Sequence, residues 1–529
     1  MNRAVTPPPH LPRPAPSNIH IQHPTLVPYA SGAAYNATLA RTAPRPILTG
    51  MRHKLRLEGA VTPDQARSEY VYVPFEVPAG ATRMEVNYHY DNQVTGAQET
   101  HPGNNIDIGV FDVRGHDFLT GGFRGWSGGA RSHFYIEPRS ATPGYLRGPL
   151  QPGEWSIILG CSKLEDPVVR YRVNIDFELD VLGAPEQDLR VPTPGEGRTP
   201  REIAGPASGR WYRGDLHAHS EHSDGANSVD EIVAYTRDVG LEYFALTDHN
   251  TITHWDDLAR LDVEGAPLLV FGEEITMYGG HANVWGLDGW IDFRGTNDDL
   301  VRRLIEDANR RGSMFSINHP DSPIPWLHPD VQSYQAVEVW NAPWRWFNEP
   351  ALERWEAHLR AGRRMVAVGG SDSHCVPPAK MTQPNGPGEP CTWVYVEGVL
   401  TERAVLDAVA KGHVFISEGP TGPFIELRAD ANGDGVFETL PGDVIASPPA
   451  GEVTFRASYR GPDGKHIRFF GREGLVREIT PDTEEHDAEF TLRLEGDGYL
   501  RAEVRGFRGR PDRGEVAHAL TNPIYWGRW

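Results

Sequence analysis

Three hydrophobic patterns follow one another along the chain. From about residue 50 to 185, apolar and aromatic positions come in short alternating runs, YVYVPFEV, MEVNYHY, IDIGVFDV, SHFYIEP, EWSIILG and YRVNIDFEL, broken by Gly, Pro and Asn. Strand side chains alternate between two faces, so such runs with turn residues between them predict an antiparallel β-sandwich. Between 210 and 420 the period changes. Strand-like runs (EYFALTDH, LLVFGEEI, MFSINHP, AVEVWN, MVAVGGSDSH) alternate with stretches of helical period, SVDEIVAYTRDVG, NDDLVRRLIEDANRRG, NEPALERWEAHLRAGRR and TERAVLDAVAKG. Repeated β-then-α units predict a parallel sheet, closed as a barrel or open as a doubly wound layer. Ser228 and Asn297 are the expected helix N-caps. After 420 short β runs return (PFIELRA, EVTFRASY, HIRFFG, AEFTLRL, YLRAEVRG) and predict a second antiparallel sandwich.

These changes of pattern set the expected domains. Residues 1–46, rich in Pro and His without a period, read as an extended arm, 47–187 as the first sandwich and 188–209 as a linker. The α/β region takes 210–420 and the second sandwich 421–529.

Composition narrows the partners. Lys plus Arg is 51 and Asp plus Glu 72, a net charge of −21, and the sequence gathers no basic groove, so a small-molecule substrate is expected rather than a nucleic acid. The cysteines, Cys161, Cys375 and Cys391, are too few and too scattered for a disulfide framework or a thiolate metal knot. The N-terminal stretch MNRAVTPPPHLPRPAPSNIH has no continuous apolar core, and no later run would span a bilayer. The expectation is a cytoplasmic protein without a membrane segment; the sequence carries no signal for an oligomeric state.

Chemistry concentrates in one stretch, DLHAHSEHSDG at 215–225. In an extended strand Asp215, His217 and His219 share a face while Leu216 and Ala218 point the other way, and a turn at Ser-Asp-Gly brings Asp224 back over the same end. Further donors follow other apolar runs: His249 after FALTD, Glu274 at LLVFGE, His319 after MFSIN, and Asp372 and His374 after MVAVGGS. Functional groups of parallel β/α folds gather at the carboxyl ends of strands, which is where these fall. His281, in YGGHANV, precedes its strand, and geometry supports it less. Nitrogen and carboxylate donors without thiolate favour Zn, Mn or Fe, and there are more of them than one ion needs.

DLHAHSEHSDG, LTDHN, GEEI, GGHANVWG, INHP and GSDSH, in that order over 210–420, resemble the PHP (polymerase and histidinol phosphatase) superfamily of metallohydrolases. The resemblance implies an α/β fold, a distorted (β/α)7 barrel holding two or three divalent ions, here flanked by the two sandwiches. It further implies one ion on His217, His219, Glu274 and Asp372. A second would sit on Glu274, His281 and His319, with Glu274 as the bridge, and a third on Asp224, His249 and His374. His222 is an alternative ligand or a substrate contact, and His254 and His328 are expected at the surface or on the substrate side. The flanking β domains and GPTGPFIEL…LPGDVI look like the CehA/McbA branch, named for carbaryl hydrolases.

The expected chemistry is attack by a hydroxide shared between two ions, with Glu274, Asp372 and His319 at the reacting centre and Asp215 and Glu338 orienting imidazoles. A phosphoester is the expected substrate, with a carboxylic ester or carbamate as the alternative. An inert barrel carrying carbohydrate- or partner-binding sandwiches is a third reading. Trp344 could wall the substrate, although an aromatic cluster that docks a helix is the reading set ahead of it, and Arg345 could clamp a phosphate or stack on a Trp. Asp430, Asn432, Asp434 and Glu438 have the spacing of a calcium loop, but Pro441 stands where an EF-hand needs its bidentate Glu, and a metal-free hairpin fits as well.

Overall fold

The first alternating region folds as two four-stranded antiparallel sheets. In a computed structural model describing residues 51–66, 69–94, 102–180, 190–376, 385–446, 451–508 and 514–529, one sheet runs Met51–Val61, Val169–Leu179, Ala81–Tyr90, His133–Ile136. The other runs Tyr70–Val77, Gly153–Lys163, Asn105–Phe111, Phe123–Gly128. The arm expected at 1–46 lies outside the described residues. Val173, Ile175 and Phe177 of the first sheet and Ile108, Trp155 and Ile157 of the second share one core. The strand Asn105–Phe111 is buried at every position rather than alternating. Its sheet is covered on both faces, because its outer face packs on the next region.

That second contact is aromatic and specific. The rings of Phe123 and Trp290 stack at 4.2 Å and Trp126 packs on Phe293 at 4.8 Å, pairs worth about 0.5–1.5 kcal/mol beyond their area. Arg294 reaches across to the Tyr72 hydroxyl (2.6 Å) and the His116 carbonyl (2.6 Å), with Asp292 beside it for charge balance. Tyr278 donates to the buried Asp107 at 2.7 Å. The linker is docked rather than loose: Ile203 pairs through its backbone with Leu400, and Arg198 lies over Phe271 at 3.7 Å and meets Glu402 at 2.6 Å.

Among the described residues the α/β region supplies nine strands. Seven follow one another in spatial and chain order, Arg210–Asp215, Tyr243–Leu246, Leu268–Met277, Gly280–Trp285, Met314–Ile317, Ala336–Asn341 and Val366–Gly370, and beyond Arg210–Asp215 the sheet continues antiparallel through Cys391–Val396 and Val414–Ser417. The expected caps are present. Ser228 and Glu231 form a capping box on the helix Val229–Asp238, and Asn297 accepts from Asp299 and Leu300 on Asp298–Arg310. One helix, Trp255–Leu261, is additional to those expected. Among these seven the β/α regularity breaks once: Gly280–Trp285 returns antiparallel to Leu268–Met277 as a hairpin and pairs antiparallel with Met314–Ile317, while the other neighbours of the seven are parallel.

The C-terminal region is not separate from this sheet. Val414–Ser417 pairs antiparallel with Glu515–Thr521, so the α/β sheet continues into the last strands. A three-stranded sheet, Phe424–Asp430, Glu452–Arg460 and Glu485–Arg493, shares a core with it that also takes in Trp211 and Phe415. The edge expected near 420 is a hydrogen-bonded seam, and residues 50–529 form one compact unit.

Asp107 carries a measurable cost of this packing. Burial raises its carboxyl from 3.8 to about 6, against the hydrogen bonds from Tyr278 and Asn105 that pull it down. A carboxyl whose native pKa exceeds its unfolded value withdraws stability as pH rises between the two. Relative to wild type, Asp107→Asn therefore gains up to about 3 kcal/mol between pH 4 and pH 7. Thermal melts at both pH values test this; a gap that stays constant with pH contradicts it.

Candidate metal centre

The donor side chains leave the sheet at one edge, and backbone hydrogen bonds lace that edge together. Asp372 N donates to His217 O, His219 N to Ser373 O, Thr247 N to Ala218 O, Asn250 N to Glu274 O and Asn318 N to His281 O, each at 2.9 Å. His217 and His219 are thus fixed against Asp372, although their strand proper ends at Asp215. His281 belongs to this edge for a reason its position in the sequence hides. Its strand runs antiparallel, so its amino end, opposite Thr276, lies where the parallel strands have their carboxyl ends.

Glu274 is at the middle. Its Oε1 lies 3.3 Å from His217 Nε2, 3.4 Å from His281 Nδ1 and 3.5 Å from His319 Nε2; its Oε2 lies 2.8 Å from His249 Nδ1 and 3.4 Å from His219 Nε2. Asp372 Oδ1 is 2.9 Å from His219 Nε2 and 3.4 Å from His217 Nε2. At the mouth, Asp224 Oδ1 is 3.3 Å from His374 Nε2 and 3.5 Å from His249 Nε2. Three sets of donor atoms lie close enough to share an ion: His219–Asp224–His249–His374, His217–His219–Glu274 and His249–Glu274–His281. Asp372 and His319 flank these sets. Both have φ in the left-handed region, +50° and +29°, a strained backbone of the kind that persists where function holds it.

The electrostatics suit a divalent cation. Burial alone would raise the Glu274 carboxyl, but the imidazoles of His217, His249 and His281 outweigh it and hold the group well below the usual carboxylate range. Burial depresses His219 to about 4, with His249 and His374 adding to the effect, so its ring is neutral and its lone pair free at neutral pH. Burial also opposes a proton on His249, yet Glu274 and Asp224 lift it to about 8. His281 Nδ1 is buried without a hydrogen bond, which a divalent ion between it and Glu274 would remedy.

Supporting groups set these rings. Glu338 meets its expected role: Oε1 is 2.8 Å from His217 Nδ1, and Oε2 accepts from His319 N and Asn341 Nδ2. Asp215 does not orient an imidazole. Its oxygens accept from the backbone N–H of His217, Ser371 and Gly388, so it pins three chain segments instead. A Cβ at Gly370 would come within 2.3 Å of His217 Cβ and 2.5 Å of Glu338 Oε1, so only glycine fits beneath the site. Sequence reasoning passed over Asn318 and Asn341, which donate to Glu274 and Asp372. It also missed Asp248, which accepts from Ser220 N, Ser220 Oγ and Ser223 Oγ and so shapes the Asp224 loop. Its signal was present: it directly precedes His249 and must face the other way.

Other expected residues fall outside the cluster. His222 is held by Thr253 (2.8 Å) and Asp257 (3.3 Å), one through each ring nitrogen, and joins none of the converging sets. His254 and His328 are buried, not superficial; they meet Asp248 and Asp298. Trp344 is buried edge-on against Trp340, its N–H given to Glu349, and Arg505 stacks over it, so it docks the C-terminal region rather than walling a substrate. Arg345 donates to the Gly514 carbonyl. Trp346 and Phe347 are the exposed aromatics of that segment. Asp430, Asp434 and Glu438 do approach one another. However, Asp430 already accepts from the N–H groups of Gly433, Asp434 and Gly435, and Asn432 hydrogen-bonds Asp434, so the loop is closed without an ion.

Residues 215–292 match the family model of the PHP domain. That stretch includes His217, His219, Asp224, His249, Glu274 and His281; the fold adds His319, Asp372 and His374 from beyond it. No curated protein matches the chain. Among solved structures, a two-domain protein from Bacteroides vulgatus containing a predicted PHP-like metal-dependent phosphoesterase is similar at 17% identity and TM-score 0.35, over 62% of this chain and 99% of that one. A candidate metal-dependent phosphoesterase from Bifidobacterium adolescentis aligns at 18% identity and TM-score 0.26 over 33% and 90%. An amidohydrolase from Chromobacterium violaceum, with sulfate and no metal, aligns at 16% and 0.24 over 33% and 92%.

Two measurements probe the centre directly. Because Glu274 and Asp224 lift His249 to about 8, a cation must displace its proton, and zinc affinity should rise as pH increases towards 8. Calorimetry at pH 7 in buffers of different ionisation enthalpy should show net proton release; none would contradict the site. Glu338→Gln should weaken zinc binding about 10–100-fold, read by competition with a chelator.

Proposed function

We propose that the protein is a metal-dependent hydrolase acting on a phosphoester of small-molecule size. The observation that carries this reading is the position of Glu274, one buried carboxylate within 3.5 Å of five imidazoles drawn from four different segments. In this reading the seven strands from Arg210 to Gly370 are the distorted (β/α)7 barrel of the PHP superfamily, its hairpin included, and the flanking sheets are sandwiches. His217, His219, Glu274 and Asp372 would hold one ion, Glu274, His281 and His319 a second, and Asp224, His249 and His374 a third, with zinc, manganese or iron as the fitting metals. Bound there, such ions lower the pKa of water towards about 7 and place positive charge against the oxygen that gains electrons.

The chain's own groups prepare that chemistry. Glu338 draws the His217 Nδ1 proton to itself and leaves Nε2 as the donor atom. Asn318 fixes Glu274 Oε1, the oxygen beside His217, His281 and His319, and Asn341 holds Asp372 Oδ2, so that Oδ1 faces the cluster. Ser322 lies 3.2 Å from His319 Nδ1 and steadies that ring. The second reading is carboxylic-ester or carbamate hydrolysis, as in the carbaryl-hydrolase branch.

Stripped with a chelator, the protein should lose turnover of aryl phosphates and regain it with zinc, manganese or iron. Glu274→Gln should lower kcat by on the order of 100-fold or more. Full activity in excess EDTA defeats the metal reading, and faster turnover of aryl carbamates than of aryl phosphates assigns the second one. A protein that binds no metal leaves only the sheets as binding surfaces.

A further inference from the structure

The loop Ser220–Asn227 carries Asp224 to the mouth of the centre and is gripped from two sides. On the inner side Asp248 takes the groups of Ser220 and Ser223, and Ala226 N donates to the His374 carbonyl at 2.7 Å. On the outer side the grip comes from the N-terminal sheets. Arg131, between the strands Phe123–Gly128 and His133–Ile136, donates through Nη1 to Ser223 O at 3.1 Å and through Nη2 to Glu221 O. The carbonyl between these two faces Gly144 of the same domain: a Cβ there would lie 2.8 Å from His222 O, and φ at Gly144 is +93°. Gly144 N donates to Thr253 Oγ1, which lies 2.8 Å from His222 Nδ1.

Three consecutive carbonyls, 221 to 223, therefore lean on a domain that contributes no donor to the centre. A guanidinium is a rigid planar fork, and bridging two carbonyls two residues apart fixes the turn between them. The next residue is Asp224, whose side chain is 45% exposed and touches the cluster only through His249 and His374. Its place is set by its backbone.

We infer that Arg131 is a positioning residue for the outer part of the centre: it holds Asp224 at the distance from His249 and His374 that an ion requires. This rests on the metal reading above. The N-terminal domain then acts as the outer wall of the metal site, and the outermost ion is the one that depends on it. Arg131→Ala should weaken that single binding step about 10–100-fold, the usual cost of losing a group that orients a ligand. Ions held around Glu274 should keep their affinity. Arg131→Lys, which retains charge and one line of donation, should fall between.

The test titrates the stripped full-length protein with zinc, resolving binding steps by calorimetry and counting retained ions by elemental analysis. Arg83→Ala is the control, since Arg83 pairs with Glu137 and Glu85 on the far sheet of the same domain. The inference expects one weakened step in Arg131→Ala, a smaller effect in Arg131→Lys and none in Arg83→Ala. Wild-type affinity at every step in Arg131→Ala overturns it, as does equal loss in Arg131→Ala and Arg83→Ala. If Arg131→Ala does not fold by circular dichroism, Arg131→Lys against Arg83→Ala decides on the same criterion. A wild-type protein that binds no zinc instead fails the metal reading itself.

Discussion

Two carboxylates, Glu274 and Asp372, lie within a few ångströms of each other's partners in a pocket largely closed to water. An isolated buried charge costs several kcal/mol even after the protein relaxes, and imidazoles that must shed or gain protons to compensate are poor neutralisers. A collection of donors of this kind is tolerable in a folded protein chiefly as a cage for positive charge. The positive φ at Asp372 and His319, the glycine at 370 and the asparagines that hold Glu274 and Asp372 are what a chain looks like when side chains are held in place for a ligand rather than for each other.

The scaffold serves that cage by geometry more than by chemistry. Parallel strands deliver donors at their carboxyl ends, and the inverted hairpin delivers His281 from an amino end at the same edge of the sheet. The second N-terminal sheet is buried on both faces because it lines the α/β region as well as its own core. Tyr278 and Asp107 tie it to the hairpin that carries Glu274 and His281, just as Arg131 and Gly144 tie it to the Asp224 loop. Domain and site are therefore one mechanical object.

The sequence was most informative where a local period or a compact motif carries the structure. The change from alternation to helical period marks the α/β region, the caps at Ser228 and Asn297 stand where their residue types place them, and His249, Glu274, His319 and Asp372 each show as a polar residue closing an apolar run. What stayed hidden depends on partners far along the chain. Nothing local says that Gly280–Trp285 turns back, since alternation is the same in either direction. Trp344 could not be sorted from a substrate contact because its burial comes from Arg505 and Glu349, on other segments. Asp215 shares its face with two histidines, yet its neighbours are the N–H groups of Ser371 and Gly388, more than 150 residues away in sequence. Alternation after 420 likewise predicts strands without saying which sheet they join.

The seam between Val414–Ser417 and Glu515–Thr521 bears on how the chain is made. During synthesis the Val414–Ser417 strand emerges about a hundred residues before its neighbour, and until then one border of the growing sheet has unpaired N–H and C=O groups. Such a border is a template for pairing with another nascent chain. The ribosome thus releases the α/β region in an adhesive state, and the strands that follow it are its seal.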